Sequence, residues 1–385
     1  MRARLAADFA RFSTGLPANF PEIVRETYRI DLTARYLDVT LPHPIGKGSG
    51  QLSLNADQLE TDADAGLAFT VLKTVIAQDA DGDQSMAAWA IHESKMSLEP
   101  VISASGKRGW TVTWKGRGWD RSFEEYLALV RTGRDLTQGG RLLVIPSVKY
   151  HLPTVLQPFR SEEYGYTTGA LLRAWGDGPL LLEKDFSPTL AGDALAGEQE
   201  RILRWIREVP GQIAAGQEGA VKVSLKLMNS RFGDDFQLRM LETTAESGAA
   251  AAVVFNRLFG REKGVAYGGW DLSDRNLRVL GAAKRKGIAF PLSGTGNICS
   301  GTVLLDYARR GCSSVQLHTF FQLPLGEYAG TVGSRTSRAL HMLVFHPSHG
   351  LIAGLLNLEA DGAIERRGGE LHFLDLVEHD ANRAG

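Results

Sequence analysis

Cysteine is scarce in this chain. Among 385 residues there are two, Cys299 and Cys312. Neither sits in a CxxC pattern, so no ligand set for zinc or an iron–sulfur cluster is expected, and no disulfide framework. A cytoplasmic setting follows as the expectation. Long apolar runs are absent too. None reaches the length that spans a bilayer. The N-terminus, MRARLAADFARF, is basic and suits a short amphipathic helix, but it lacks the apolar stretch of a secretory signal. Stable membrane insertion is therefore not expected. Net charge is almost nil: 43 Lys and Arg stand against 44 Asp and Glu, for a formal charge of -1. A large nucleic-acid surface is not expected from that balance. There is no internal repeat beyond strand–helix alternation and no low-complexity segment.

What is present is a composition of 43% hydrophobic and 23% charged residues, with 43 glycines. That is the make-up of a globular protein with many tight turns. The most informative stretch is residues 288–321, IAFPLSGTGNICSGTVLLDYARRGCSSVQLHTFF. It predicts a buried strand over 288–293, then Gly294-Thr295-Gly296, where the backbone can turn tightly. A helix follows, capped by Ser300 and ended near Gly311. A second strand over 313–317 ends at His318-Thr319. Two parallel strands joined by a helix open on the same sheet edge. Backbone N–H groups at Gly294, Gly296 and Thr319 would then converge on an anion, a phosphate above all. Taken alone, the glycines would equally suit an ordinary turn; the second arm favours phosphate.

The rest of the chain repeats this alternation. Residues 1–30 read as a helical extension broken at Gly15-Leu16-Pro17 and at Pro21. Residues 31–50 read as a small hairpin leading into a first strand over 44–48. Further strands are predicted over 67–73, 142–148, 179–184, 221–227 and 251–256. Helices are predicted over 55–65, 121–131, 162–175, 198–209, 235–247, 273–286 and 335–345. With the two strands of the 288–321 unit, that makes eight. The fold expected is α/β, a (β/α)8 TIM barrel over 31–349, with a doubly wound open sheet as the alternative. A long insertion, residues 77–118, follows the second strand and suits a lid. Its DADGD segment lacks the later glutamate of a calcium loop and reads as a solvated turn. Residues 350–385 form a C-terminal tail without an assigned role.

In such barrels the reactive groups lie where strands end. Lys73, Lys226 and Asn256 fall at strand ends, and Ser187 falls in the loop after the fourth strand. A lysine at an apolar strand end is costly unless its charge is used or paired.

The two glycine-bearing arms, GTGNI and CSSVQLHT, resemble the phosphate grip of flavin-binding barrels, most closely the dihydroorotate dehydrogenase family. The opening HPIGKGSG is similar to that family's entry into its first strand, with His43 where the family has asparagine. The resemblance covers about residues 31–321. It implies FMN as cofactor, held at Gly294, Gly296, His318 and Thr319, with Gly48 and Ser49 letting a flat ring lie close to the backbone. It places Lys226, in KVSLKLMN, at the pyrimidine edge of the flavin. It gives Lys73 a role at flavin and substrate, and Asn256 a hydrogen bond to either. Aligned on Pro188, Ser187 falls on the general-base position, and Thr189 on a substrate-binding asparagine. Asn297 and His318 replace family glycines, and most substrate-loop asparagines are absent. The activity implied is hydride transfer between a C–C bond next to a carbonyl and flavin N5, in pyrimidine metabolism or on a related cyclic substrate. A soluble electron acceptor, or a quinone, would complete the cycle. A homodimer is left open. Two other readings stand beside it. One is a flavin-free lyase or aldolase using Lys73 or Lys226 as a Schiff base; the other is a barrel without catalysis.

Overall fold

The computed structural model describes residues 1–89, 97–103, 105, 106, 108–113, 118–154, 156–186, 197–260, 265–267 and 272–378. Ten short parallel strands make its central sheet: β1 (Ile45–Lys47), β2 (Phe69–Val71), β3 (Val75–Ile76), β4 (Leu143–Ile145), β5 (Ser147–Lys149), β6 (Leu180–Asp185), β7 (Val221–Met228), β8 (Ala251–Asn256), β9 (Leu292–Gly294) and β10 (Cys312–Leu317). Their order is β3-β5-β6-β7-β8-β9-β10-β1-β2-β4. The strands are buried almost throughout, as strands covered on both faces must be, and several carry buried polar residues. The sheet curls and is compatible with a TIM-like barrel. β4 and β5 flank Pro146, which has no N–H to give the ladder.

Helices Ala56–Asp64, Phe123–Gln138, Ser161–Trp175, Glu198–Ala214, Asp234–Glu246, Leu272–Arg285, Gly301–Ala308 and Arg335–Phe345 carry the chain along the sheet. Local sequence starts several of them. Ser122 and Glu125 form a reciprocal capping box. Asn55, Ser300 and Ser334 each accept a first-turn N–H.

Some boundaries differ from expectation for clear reasons. Helix Glu198–Ala214 runs through Pro210, which is buried inside it. Pro21 does not break the N-terminal extension. It sits in the first turn of helix Phe20–Tyr28, where no N–H partner is needed. The strand expected over 288–293 begins only at Leu292, after Pro291 and the exposed Ala289. The C-terminal residues are no loose tail. Leu351, Ile352 and Leu355 are fully buried, and Leu371–His372 pairs in parallel with Ile30–Asp31. Residues 379–385 lie outside the described ones.

The insertion is built into the protein's second sheet. Its strands Ser97–Ile102 and Arg108–Thr113 pair with each other, and Tyr267 pairs with Thr113. Leu258–Gly260, which follows β8, completes four antiparallel strands. DADGD is a turn: the Asp79 carboxylate accepts from the N–H groups of Asp81 and Asp83. Among the described residues no His, Cys, Asp and Glu group could hold a metal ion. Likewise, no described helix is long and apolar enough to cross a membrane.

The hairpin Ala34–Tyr36/Val39–Leu41 closes the lower end of the sheet. Tyr36 reaches the Ser224 hydroxyl at 3.0 Å and packs on Phe69. Nearby, His43 is fully buried. Its Nε2–H donates to the Gly66 carbonyl at 2.8 Å, and Nδ1 accepts from the Ile45 N–H at 3.2 Å. That fixes a neutral ring, and burial pushes its pKa down to about 4. Between about 4 and 6.5 the unfolded chain therefore binds a proton that the folded chain refuses. Stability should rise with pH across this window, by up to about 3 kcal/mol from this group. Urea titrations of wild type and His43→Gln at pH 4.5 and 7 would check this. The variant should show the smaller pH slope.

Candidate functional site

The upper ends of the strands carry a ring of polar side chains. The Ser49 hydroxyl meets that of Thr74 at 2.8 Å, and Thr74 meets Ser147 at 3.0 Å. The Ser147 hydroxyl donates to Glu183 Oε1 at 3.2 Å. Lys226 Nζ donates to the same oxygen at 3.2 Å and to Gln316 Oε1 at 3.3 Å. Gln316 closes the circuit by donating to Glu183 Oε2 at 2.9 Å. Strand alternation explains the set: each of these residues points inward, where its sequence neighbours point to the helices. Glu183 is fully buried, and Lys226 and Gln316 nearly so. Buried ionic groups persist only when paired and hydrogen-bonded, and here every partner is supplied.

Gly48 lies at the rim of this ring. A Cβ built on it would stand 3.5 Å from Gln316 and 3.8 Å from Lys226 Nζ. Space above Gly48 is therefore free of tight contacts. Gly46, two residues lower on the same face, is different: any Cβ there would overlap the Phe69 ring. So Gly46 is a packing glycine, while Gly48 would accept a Cβ in ordinary contact with Gln316 and Lys226.

The two arms expected to hold a phosphate lie side by side. Gly294 on β9 is level with Val315 on β10. Gly294 itself is a strand residue whose bare Cα admits Tyr307; a Cβ would stand 2.6 Å from that ring. Gly296 has φ of +111° and turns the chain beneath Asn276, which donates to the carbonyls of Phe255 and Thr295, both at 2.9 Å. Asn297 follows at φ of +50°, the left-handed region that asparagine tolerates. Its Oδ1 accepts from the Trp110 N–H at 3.2 Å, which ties the second sheet to this loop. Among the described residues, no acceptor faces the N–H of Gly296 or of Thr319. Both residues are half-buried and lie at adjoining strand ends.

His318, the other replaced glycine, does not crowd its arm. It is seated against Gly50, where a Cβ would overlap the imidazole. Its Nε2 accepts from the Gln51 N–H at 3.2 Å and lies 3.1 Å from Gln322 Nε2. Burial holds its pKa well below the usual value, and Arg257, Lys73, Lys226 and Lys47 reinforce this. The ring is thus a neutral spacer amid cations. Gly50→Ala should destabilise the protein by about 1–3 kcal/mol through overpacking. Against a His318→Ala background the same change should cost far less. Chemical denaturation of the four proteins measures that coupling.

Lys73 Nζ donates to Gln51 Oε1 at 2.6 Å, on the same side as His318. Lys149 pairs with Asp185 at 3.6 Å. Burial pushes Arg257 down to about 10, with Asp185 opposing. Asn256 ends β8, and its carbonyl accepts from Asn229 Nδ2 at 2.7 Å. Lys184 points away from the ring, toward the Tyr150 and Asp185 carbonyls, and burial pushes it down to about 7. Ser187 and Thr189 lie outside the described residues. The structure thus brings together Gly48, Ser49, Lys226 and, through Gln51, Lys73 and His318.

Glu183, Gln316, Ser147, Thr74 and Gln51 were not among the residues expected from sequence. The first two had a readable signal: a polar residue at an inward position, Glu183 in LLLEKD and Gln316 in SSVQLH. Arg257 had none, since it lies one residue beyond a strand end.

Comparison with models of known protein families gives no match, and comparison with curated proteins gives none either.

Proposed function

We propose that the chain is an FMN-dependent oxidoreductase built on a closed (β/α)8 barrel and akin to dihydroorotate dehydrogenases. Closure follows if β2 with β3, and β4 with β5, are each one interrupted strand: Phe69–Val71 pairs with Leu143–Ile145, and Val75–Ile76 with Ser147–Lys149. The ten strands then become eight, and no edge remains.

One observation carries the reading. A buried lysine, a glycine beside it and two adjoining half-buried backbone N–H groups with no acceptor among the described residues sit at the same end of one sheet. The residues present fit FMN. Gly296 and Thr319 would hold its phosphate, Gly48 and Ser49 would admit the ring, and Lys226 would face the ring edge that gains charge. The group, when bound, accepts a hydride from a substrate carbon beside a carbonyl. The chain's part is positioning and fixed charge. Lys73 and Asn256 orient the substrate, with Thr189 in the loop beyond. Ser187 would relay the neighbouring proton to water, and a soluble acceptor would remove the electrons. Lys226 is held in an ion pair with Glu183, which suits a fixed charge better than a Schiff-base nucleophile.

The substrate is tested by adding dihydroorotate to the FMN-loaded protein without oxygen. Bleaching of the flavin band supports a dihydroorotate-type reaction. An unbleached band with dihydroorotate, followed by bleaching with another cyclic amide, would move the substrate and keep the reaction class.

A further inference from the structure

We infer that Glu183 is a built-in counter-charge that sets how strongly Lys226 favours the reduced form of the bound cofactor. This inference rests on the FMN reading above. Lys226 Nζ sits 3.8 Å from a Cβ built on Gly48. A lone ammonium there would act on the cofactor at full strength. It is not alone, because the Glu183 carboxylate is 3.2 Å away on its inner side and fully buried. Glu183 is in turn pinned by Ser147 Oγ at 3.2 Å and Gln316 Nε2 at 2.9 Å, so it cannot swing out to solvent.

The charge balance makes the consequence definite. Adding two electrons and one proton to neutral FMN leaves the ring one unit more negative. A cation nearby favours that form, and an anion behind the cation weakens the preference. Both act through a buried region where charges are poorly screened. Glu183 is therefore a positioning and tuning residue. It touches Lys226, and through Lys226 it lowers the reduction potential below what the lysine alone would impose. Gln316 is the neutral arm of the same clamp. Changing it to a carboxylate should push in the same direction as Glu183 does.

The test uses the full-length FMN-loaded protein and two isosteric variants, Glu183→Gln and Gln316→Glu. Midpoint potentials are read by spectroelectrochemistry. Sulfite affinity is read by loss of the flavin band, because sulfite addition also makes the ring negative. Glu183→Gln should favour the reduced form about tenfold, a rise of about 30 mV for a two-electron couple, and tighten sulfite binding. Gln316→Glu should shift both readouts the opposite way. Should Glu183→Gln fail to fold, the sign of the Gln316→Glu shift decides. FMN-loaded variants with wild-type potentials, or shifts of the same sign, would overturn the inference and leave the FMN reading standing. Failure of wild type itself to take up FMN would overturn the reading, and the inference with it.

Discussion

If the protein binds FMN as proposed, Gly48→Val should give a folded protein that binds it more weakly. The position admits a Cβ without overlap, since the nearest atoms stand at 3.5–3.8 Å from it. Thermal stability should stay near wild type. A valine would, however, stand in the space above Lys226 and Gln316 that a flat ring needs. Forcing atoms into a close-packed contact costs about 1–3 kcal/mol, so FMN affinity should fall ~10- to 100-fold. Gly46→Val is the control. Its side chain would overlap Phe69 in the sheet's lower layer, so it should lower stability before it affects any ligand. Flavin fluorescence titration and thermal melts of the two variants separate a ligand-bearing glycine from a packing glycine. Equal stability loss in both would mean that Gly48 is a packing residue too.

Asp62→Ala should destabilise the protein by about 3–5 kcal/mol, the range seen when one member of a buried ion pair is removed. Asp62 lies on helix Ala56–Asp64 and is 1% exposed, and Lys47 on β1 is 3% exposed. Lys47 Nζ bonds Asp62 Oδ1 directly, and Thr336 bonds both, so one carboxylate joins two helices to the sheet. Thr70 on β2 adds a bond at 2.9 Å to the second oxygen. Burial pulls Lys47 down, and Asp62 is what opposes that pull. Without Asp62 the ammonium is stranded among Thr336 and the Phe321 ring, whose centroid is 5.0 Å away. Replacing both partners, as in Lys47→Met with Asp62→Leu, should recover most of the loss, because the cost lies in the unpaired charge. Urea denaturation of the single and double variants tests this. A single-variant loss under about 1 kcal/mol would mean that water reaches the pair.

Much of the architecture was legible in residue pattern. The stretches over 221–227 and 251–256 became β7 and β8, where apolar residues recur densely enough for strands covered on both faces. Ser300 was readable as a cap because capping is a local event between a hydroxyl and a first-turn N–H. In the 288–321 unit the helix and the second strand were readable, while the first strand begins only at Leu292. What lay beyond reach depended on contacts distant in sequence. That Gly50 makes room for His318, 268 positions later, is a fact about packing, and no local pattern announces it. The clamp of Glu183, Lys226 and Gln316 joins three strands, so only their shared inward direction reveals it. The same holds for the insertion. Its pairing of Thr113 with Tyr267 makes one sheet from two segments that sequence separates widely. The C-terminal residues found their place by pairing with Ile30–Asp31, at the far end of the chain.

The central proposal is that this protein carries FMN. The visible absorption spectrum of the purified protein, with the released cofactor identified by mass, tests it most directly. The account predicts a yellow protein that releases FMN on denaturation, or a colourless one that takes up added FMN and binds it more weakly in Gly48→Val. A colourless wild-type protein that also fails to bind added FMN would contradict it.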